Sequence, residues 1–298
     1  MGSYSRGQTE RKGLIMKLCS FYTDDGKIRA GAVTKGGIVP LEDMGFMCSV
    51  DEIIAGGGAM LKEIGAALEK GGFDALDPEK LSFANVTEAG KILCVGLNYN
   101  SHAVETKGEA PKYPVYFSKF NDSLCPTGHE VFLPEWQRCY DYEAELVIVV
   151  GKTAWHIEED AAADYIFGYT VGNDLSARDC QFLSNQWLSG KSMPDFAPAG
   201  PYIITADSFD PEKPNRIICR VNGEIRQDGD TSDMIFTCRK ILADASKYFR
   251  LNPGDLIFTG TPAGVILGKP KGTRVWLKKG DTVTVTIEGI CTLENKLI

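Results

Sequence analysis

Alternating hydrophobic and polar residues predict short strands at the start of the folded chain. The segments KLCSFYT and IRAGAVT alternate and are joined by DDGK, a pattern typical of a β-hairpin, and GGIVPL predicts a third strand. The following apolar residues repeat with helical spacing, interrupted by GGG at 56–58. They predict one amphipathic helix over residues 59–70 that ends at Gly71. Together these elements predict a small N-terminal α+β domain over residues 16–88.

From residue 89 onward the pattern changes to many short apolar runs separated by turns. Strands are predicted in ILCVGL, VYFSKF, ELVIVVGK, IFGYTVGND, PYIITA, IICRVNG, LIFTGT and TVTVTIEGI. Helices are predicted in HIEEDAAADYI, mainly at 158–163, and in MIFTCRKILADASKYF, which Ser232 or Asp233 would cap. So many strands with so few helices favour a mixed α/β, predominantly β domain over 89–298. We expect a sandwich or rolled barrel and not a doubly wound sheet.

Composition and charge are those of an ordinary globular protein. Of the 298 residues, 43% are hydrophobic and 24% are charged, and the net charge is −8. This acidic balance argues against nucleic acid as a partner, because phosphate binding requires clustered cations. No window approaches the ~18 apolar residues of a membrane span. Residues 1–15 lack the apolar core of a signal peptide, so we expect a disordered or non-native extension there.

The numbers and spacing of cysteines and histidines limit the kinds of disulfide and metal site that the chain can form. The nine cysteines include no CxxC pair, which favours reduced thiols and a cytoplasmic location over a disulfide framework or a zinc site. GxGxxG, GxSxG and HExxH are absent, and GKS at 190–192 lacks the earlier glycine of a phosphate-binding loop. Because the chain has only three histidines, we expect any metal site to use oxygen ligands.

The stretch YDYEAELVIVVGK places two carboxylates at the head of an apolar run. Side chains two apart in a strand point to the same face, so Glu143 and Glu145 would lie side by side where the chain enters the core. Two interpretations remain open at this point. Either the strand end is solvated, or a divalent cation such as Mg²⁺ or Mn²⁺ offsets the repulsion. In the second case Asp174, which follows the apolar run FGYTVGN, is the best third ligand.

Other polar residues could complete a site around these carboxylates. His102 and Glu105 are three residues apart and would share one face of a helical turn, where Glu105 could orient His102 as a general base. An ordinary surface contact is the alternative for this pair. Groups that bind carboxylates follow downstream, namely Arg178, Gln181, Lys191 and the glycine-rich loop TGTPAGV.

Seven motifs, in register over some two hundred residues, resemble the fumarylacetoacetate hydrolase family. They are VGLNYNSHAVE, PVYFSKF, YDYEAELVIVVGK, GYTVGNDLSARDCQ, NGEIRQDGDTSDMIF, PGDLIFTGTPAGV and EGICTLEN. The resemblance runs from about residue 92 to the C-terminus, and the small N-terminal domain fits the family in position and size. Within the family it resembles the single-module bacterial and mitochondrial branch that handles acylpyruvates, oxaloacetate and related 2-oxo acids. The fold it implies is a mixed β-sandwich roll, usually assembled as a homodimer.

The resemblance also implies roles for individual residues. Glu143, Glu145 and Asp174 match the ligands of a Mg²⁺ or Mn²⁺ ion. His102 and Glu105 match an acid–base pair on a lid segment that orders over bound substrate. The other matches are Lys191 beside the metal, Arg178, Gln181 and Thr261 at the carboxylate end of the substrate, and Lys119 in the strand after the lid.

The chemistry implied by the resemblance is that of 2-oxo acid enolates. Such an acid chelates the cation, and cleavage of the C3–C4 bond of a 2,4-dioxo acid would release an enolate that the cation and Lys191 stabilise. We therefore expect hydrolysis of an acylpyruvate to pyruvate and a carboxylic acid. The same enolate fits decarboxylation of oxaloacetate and isomerisation of a 2-hydroxyhepta-2,4-diene-1,7-dioate-type substrate. Ureidoglycolate cleavage and a catalytically silent metal-binding relative are further alternatives.

Overall fold

The computed structural model describes residues 15–105 and 110–298. The strands of this part of the chain are, in order, β1 (Lys17–Tyr22), β2 (Ile28–Thr34), β3 (Gly37–Pro40), β4 (Ser82–Phe83), β5 (Ile92–Gly96), β6 (Val115–Lys119), β7 (Leu124–Cys125), β8 (Glu130–Val131), β9 (Tyr140–Asp141), β10 (Ala144–Val150), β11 (Ile166–Asn173), β12 (Ser176–Ala177), β13 (Ala197–Pro198), β14 (Ile203–Thr205), β15 (Arg216–Val221), β16 (Glu224–Asp230), β17 (Leu256–Phe258), β18 (Thr282–Ile287) and β19 (Cys291–Leu297). The α-helices are α1 (Val50–Lys70), α2 (Asn100–Glu105), α3 (Arg178–Gln181), α4 (Leu188–Lys191) and α5 (Cys238–Ser246). The predicted mixed α/β, predominantly β class is confirmed.

One ten-stranded sheet runs through the described part of the molecule. Its order is β3-β2-β1-β14-β11-β10-β17-β5-β6, with β4 paired to β1. Neighbouring strands are antiparallel except β17 and β5, which are parallel. Because β1 pairs with β14, placing Lys17 opposite Ile204, the N-terminal strands continue the sheet of the following region. The sheet thus spans both predicted domains, and their division at residue 88 remains a prediction.

Strand β10 lies in the centre of the core, and all of its residues are buried. Leu146 and Ile148 belong to one hydrophobic cluster, whereas Val147 and Val149 belong to another on the opposite face. This division follows from the alternation of side chains along a strand. Since both faces are covered, no polar residue is tolerated between Glu145 and the end of the strand. The core therefore supports the acidic head of β10 rigidly.

A second, five-stranded sheet packs against the centre of the first. Its order is β16-β15-β18-β19-β8, and β15 and β18 contact β10. Its inward residues, such as Ile217 and Val285, share the hydrophobic cluster that contains Leu146. Strands β16 and β19 are not among the strands predicted from the sequence, because EIRQDGD and CTLENKL contain many polar residues. The two layers form the sandwich-like body that the sequence predicts.

Helix α1 is longer than predicted. It begins at Val50 and not at residue 59, because Ser49 and Glu52 form a capping box. Ser49 Oγ accepts from the Glu52 N–H at 3.1 Å, and Glu52 Oε2 accepts from the Ser49 N–H at 2.7 Å. Gly57, with φ 59° and ψ −147°, is not helical, so two helical segments meet at a kink there. The predicted interruption at the glycine run is confirmed, and the segment before Gly57 is helical as well.

Helix α5 begins later than predicted. Its first residue is Cys238, and the side chain of Thr237 caps it, so the predicted cap at Ser232 or Asp233 is wrong. The two residues before Thr237 donate their N–H groups to Asn98, at 2.8 and 2.7 Å. These hydrogen bonds hold the preceding segment in a non-helical conformation.

The helix predicted at 158–163 is a 3-10 helix over Glu159–Tyr165. Its N-cap residue Glu158 makes no side-chain capping hydrogen bond, and the chain passes directly into β11 at Ile166. Short segments without a strong cap commonly adopt this tighter turn. Within the ranges that the structure describes, none of the helices has the length and apolar character needed to cross a membrane.

Candidate metal centre and active site

Antiparallel pairing of β10 and β11 brings three carboxylates together. Ala144 lies opposite Asn173, so Glu143 and Glu145 flank the point where β11 ends and Asp174 follows. The Asp174 N–H donates to the Glu143 carbonyl oxygen at 2.9 Å. One carboxylate oxygen from each of the three side chains lies within 4.8 Å of the other two. The residues predicted as metal ligands thus meet in one place, which we call the acidic trio.

The acidic trio is enclosed by the protein. Glu143 is 7% exposed, Glu145 is 2% exposed and Asp174 is fully buried. The alternative of a solvated strand end is therefore wrong. The Gly260 N–H donates to Glu145 Oε2 at 2.8 Å, which satisfies one oxygen from the loop after β17. Since burying carboxylates costs several kcal/mol each unless they are compensated, the trio requires nearby positive charge.

Two cations from α3 and α4 supply part of that charge. Lys191 Nζ lies 2.7 Å from Glu143 Oε2 and 2.6 Å from Asp174 Oδ2. Arg178 Nη2 lies 2.6 Å from Glu143 Oε1. Burial raises the pKa of Glu143, but the charges of Lys191 and Arg178 outweigh this effect and lower its pKa well below the ordinary value. Glu143 is therefore held as a carboxylate.

Glu145 is shifted in the opposite direction. Burial and the neighbouring charges of Asp174 and Glu143 raise its pKa well above the ordinary value. Lys191 and the Gly260 N–H oppose this increase without cancelling it. The negative charge of the trio thus remains incompletely compensated at Glu145.

Asp174 also carries an oxygen without a well-directed hydrogen bond. Lys119 Nζ lies 2.7 Å from Asp174 Oδ1. The same nitrogen donates to the carbonyl oxygens of Leu175 at 3.0 Å, of Phe196 at 2.7 Å and of Lys191. Its three N–H groups are thereby used, and among the described residues Asp174 Oδ1 has no hydrogen-bond donor.

These observations fit a divalent cation. Carboxylate oxygens are the ligands that Mg²⁺ and Mn²⁺ prefer, and the acidic trio supplies three of them within a span that one ion can bridge. A cation there would offset the charge that raises the pKa of Glu145 and could engage Asp174 Oδ1, which is ion-paired with Lys119 but accepts no hydrogen bond. The residues present therefore suit such an ion.

Helix α2 places a histidine and a glutamate beside the trio. His102 Nδ1 lies 3.2 Å from Glu105 Oε2, and His102 is 7% exposed, so this pair is not an ordinary surface contact. His102 also contributes to lowering the pKa of Glu143, with a smaller effect than Lys191 and Arg178. Asp233 anchors the helix, since its Oδ2 accepts from the Ser101 N–H at 2.9 Å.

The residues predicted to hold the substrate line the same region. Arg178 Nη1 donates to Gln181 Oε1 at 2.9 Å, and both residues are buried. Thr261 Oγ1 donates to the Ala144 carbonyl oxygen at 2.9 Å and accepts from Gln227 Nε2 at 2.8 Å. These side chains are thus already hydrogen-bonded within the wall of the site. Their contact with a substrate stays a prediction, as does that of Lys119.

Two polar residues of the site lie outside the sequence prediction. Asp141 is fully buried and accepts from Arg178 Nε at 2.9 Å. Gln227 Oε1 accepts from the Ala144 N–H at 2.9 Å. The alternation that pairs Glu143 with Glu145 extends back to Asp141, so that residue carries a usable sequence signal. Gln227 carries none, because it reaches the site only through packing of β16.

Comparison with known proteins places this chain in one family. The family model described as fumarylacetoacetate (FAA) hydrolase C-terminal matches residues 91–298. The chain therefore belongs to the fumarylacetoacetate hydrolase family, and it is an enzyme of that family. The resemblance drawn from the seven motifs is confirmed.

Individual relatives refine this placement. An oxaloacetate tautomerase of Xenopus laevis, described as mitochondrial, is 35% identical over 98% of this chain and 93% of its own length. Its human counterpart FAHD2A, also described as mitochondrial, is 42% identical over 72% of this chain and 68% of its own. A fumarylacetoacetate hydrolase from Exiguobacterium antarcticum superposes with a TM-score of 0.83 at 33% identity, covering 95% of this chain and 99% of its own. The expected cytoplasmic location remains a prediction beside these mitochondrial relatives.

Proposed function

We propose that this enzyme interconverts the keto and enol forms of oxaloacetate or a close 2-oxo dicarboxylic acid, with Mg²⁺ or Mn²⁺ as cofactor. The observation that carries the proposal is the acidic trio together with the His102–Glu105 pair, whose histidine interacts electrostatically with Glu143. The names of the Xenopus laevis and human relatives as oxaloacetate tautomerases support the substrate class.

In this proposal Glu143, Glu145 and Asp174 hold the cation. The ion would act as a Lewis acid on the carbonyl oxygen of a 2-oxo acid and so acidify the hydrogens at C3. The carboxylates of the trio and Asp141 outnumber the three cations, Lys119, Lys191 and Arg178, by one charge. A divalent ion would turn this into an excess of one positive charge, which suits an anionic substrate.

Side chains of the protein would then transfer one proton between the oxygen and C3 of the substrate. His102 would remove the enol O–H proton or a C3 proton, and Glu105 would hold the ring in position through its contact with Nδ1. The proton would return to C3 or to oxygen, so that no atom is gained or lost overall. The ammonium group of Lys191, enclosed beside the trio, would stabilise the negative charge that develops on the substrate oxygen.

Hydrolysis of an acylpyruvate is a second candidate function. The same His102–Glu105 pair could take a proton from water, and the hydroxide would add to C4 of a 2,4-dioxo acid. Cleavage of the C3–C4 bond would then give the enol of pyruvate and a carboxylic acid. This reaction needs the same buried carboxylates and cations, and it differs only in the electrophile that the site receives.

One purified preparation tests both candidates. We expect Mn²⁺-loaded protein to accelerate the decay of the absorbance of enol oxaloacetate without releasing pyruvate. The His102→Ala variant should retain Mn²⁺ binding, but its kcat should be about 10²–10⁴-fold lower. Release of pyruvate from acetylpyruvate at a higher kcat/KM would favour hydrolysis. Release of pyruvate from oxaloacetate would indicate decarboxylation. A protein that binds Mn²⁺ but turns over none of these compounds would contradict the proposal.

A further inference from the structure

Asp141 is a buried residue whose carboxylate hydrogen-bonds both to Arg178 and to the loop that follows Thr261. It is fully buried two residues before Glu143. Besides Arg178, two backbone groups donate to its carboxylate, the N–H of Ile266 at 2.8 Å and the N–H of Leu267 at 3.0 Å. One side chain at the end of β9 therefore holds both a cation of the site and a loop from a distant part of the sequence.

The loop in question, residues 264–267, is fixed from two sides. Next to Asp141, the Tyr142 hydroxyl donates to the Gly264 carbonyl oxygen at 3.0 Å. On the opposite side β16 packs closely, since a Cβ at Gly264 would lie 2.5 Å from the Arg226 carbonyl oxygen. Gly264 also has φ +108°, a conformation that favours glycine. The 264–267 loop is therefore held between β16 and the segment Asp141–Tyr142, which precedes the metal ligands Glu143 and Glu145.

The far side of the same loop touches the acid–base pair. The Gly264 N–H donates to Glu105 Oε1 at 3.0 Å, while the other oxygen of Glu105 faces His102. Just beyond the loop, a Cβ at Gly268 would lie 2.2 Å from Glu105 Cδ. Glu105 is thus seated against this segment, and its position depends on where the loop lies.

We propose that Asp141 is a positioning residue that sets the location of the His102–Glu105 pair relative to the acidic trio, acting through the 264–267 loop. Its effect on turnover rests on the proposed function, whereas its effect on the position of α2 does not. The physical reason is that proton transfer depends steeply on geometry, and a displacement of about 1 Å can cost about 10²-fold in rate. Asp141 itself is enclosed and acts only through the groups that it holds.

Hydrogen exchange of the metal-free protein tests the coupling without any turnover. In Asp141→Asn one carboxylate oxygen becomes an NH₂ group that faces donors, so the loop loses a charge-assisted hydrogen bond. We expect amides of residues 264–267 and of α2 to exchange at least ~10-fold faster in this variant. Tyr142→Phe, which leaves Arg178 untouched, should show a smaller change in the same two segments. Asp228→Asn, which breaks an exposed pair with Arg216, is the matched control and should change neither segment.

Two results of that experiment would overturn the proposal. The first is faster exchange in the 264–267 loop with unchanged exchange in α2, because the loop would then not govern the acid–base pair. The second is unchanged exchange in both segments. If Asp141→Asn does not fold, Tyr142→Phe decides between these outcomes by the same measurement.

Kinetics test the catalytic consequence. For Asp141→Asn and Tyr142→Phe we expect kcat to fall, by about 10–100-fold in the first variant, with KM and the Kd for Mn²⁺ within about threefold of the wild type. If Asp141 acted only in folding or in support of the metal ligands, the Kd for Mn²⁺ would change together with kcat, and this result would contradict the proposal. An unchanged kcat would contradict it as well. If the wild type converts none of the tested 2-oxo acids, the proposed function fails, and the exchange in α2 still decides the coupling.

Discussion

Glu143 lies just before β10 and Glu145 lies within it, yet their surroundings shift their pKa values in opposite directions. Burial opposes ionisation of both, but Lys191 and Arg178 reverse this effect at Glu143. At Glu145 burial is reinforced by the charges of Asp174 and Glu143. Direct contact with Lys191 and Arg178 therefore makes Glu143 a stabilising carboxylate, whereas the carboxylate of Glu145 is destabilising.

This difference predicts opposite effects of two similar substitutions on the metal-free protein. Because the pKa of Glu145 is raised, the folded state binds its proton more tightly than the unfolded state does. The free energy of unfolding therefore falls as pH rises above about 4.3, the pKa of an unperturbed glutamate. The lowered pKa of Glu143 contributes stability that is present above about 4.3 and is lost as pH falls. At pH 7 we expect Glu145→Gln to raise the free energy of unfolding by on the order of 1 kcal/mol, and Glu143→Gln to lower it by about 3 kcal/mol.

Thermal unfolding in the presence of a chelator measures this pair of effects, and each variant serves as the control for the other. Both variants should bind Mn²⁺ at least about 100-fold more weakly, since each loses a charged ligand. A Glu145→Gln protein that is less stable than the wild type without metal would show that its carboxylate is compensated by means other than a cation.

At the scale of single elements, local signals set most strands, while helix ends depend on side-chain hydrogen bonds. The alternation of β10 between two apolar clusters follows from a run without polar residues. The start of α1 depends on the pairing of Ser49 with Glu52. The bend at Gly57 depends on one residue in a conformation that only glycine adopts easily.

Adjacent glycines in α1 give a prediction at this scale. Gly57→Ala should lower the free energy of unfolding by about 1–3 kcal/mol, because its φ of 59° and ψ of −147° strain any side chain. Gly58→Ala should raise it by about 0.5–1 kcal/mol, since it has ordinary helical geometry and no atom within 4 Å of an added Cβ. Urea unfolding of the two variants measures both values, and equal effects would mean that the kink is absent in solution.

At the scale of the whole molecule, the site is assembled from segments far apart in the chain. The acidic trio comes from the adjoining ends of β10 and β11, and the Gly260 amide comes from the loop after β17. Helix α4 supplies Lys191, and α2 supplies the His102–Glu105 pair. Cation binding to this assembly should therefore stabilise the fold globally. The expected homodimer stays a prediction that light scattering in solution can test.

Global stabilisation by the cation is measurable as a shift in Tm. With Mn²⁺ at 100 times its Kd, we expect the free energy of unfolding to rise by about 2.7 kcal/mol, and excess chelator should return it to the metal-free value. Asp174→Asn serves as the control that lacks one ligand and should show little of this shift. A wild-type Tm that does not respond to Mn²⁺ or to Mg²⁺ would argue against the trio as a cation site.

The sequence by itself determined the apolar strands, the fold class, the family and the identity of the acidic trio. These features depend on local alternation, as at Glu143 and Glu145, or on motifs that are continuous in the chain. Only the tertiary structure decided that both glutamates are buried. It also decided that Lys119 pairs with Asp174, and that Arg178 pairs with Asp141 and Glu143. The contact between α2 and the 264–267 loop is likewise a tertiary one. Those contacts join residues up to about 160 positions apart. Their geometry follows from the packing of strands and loops, which no local pattern encodes.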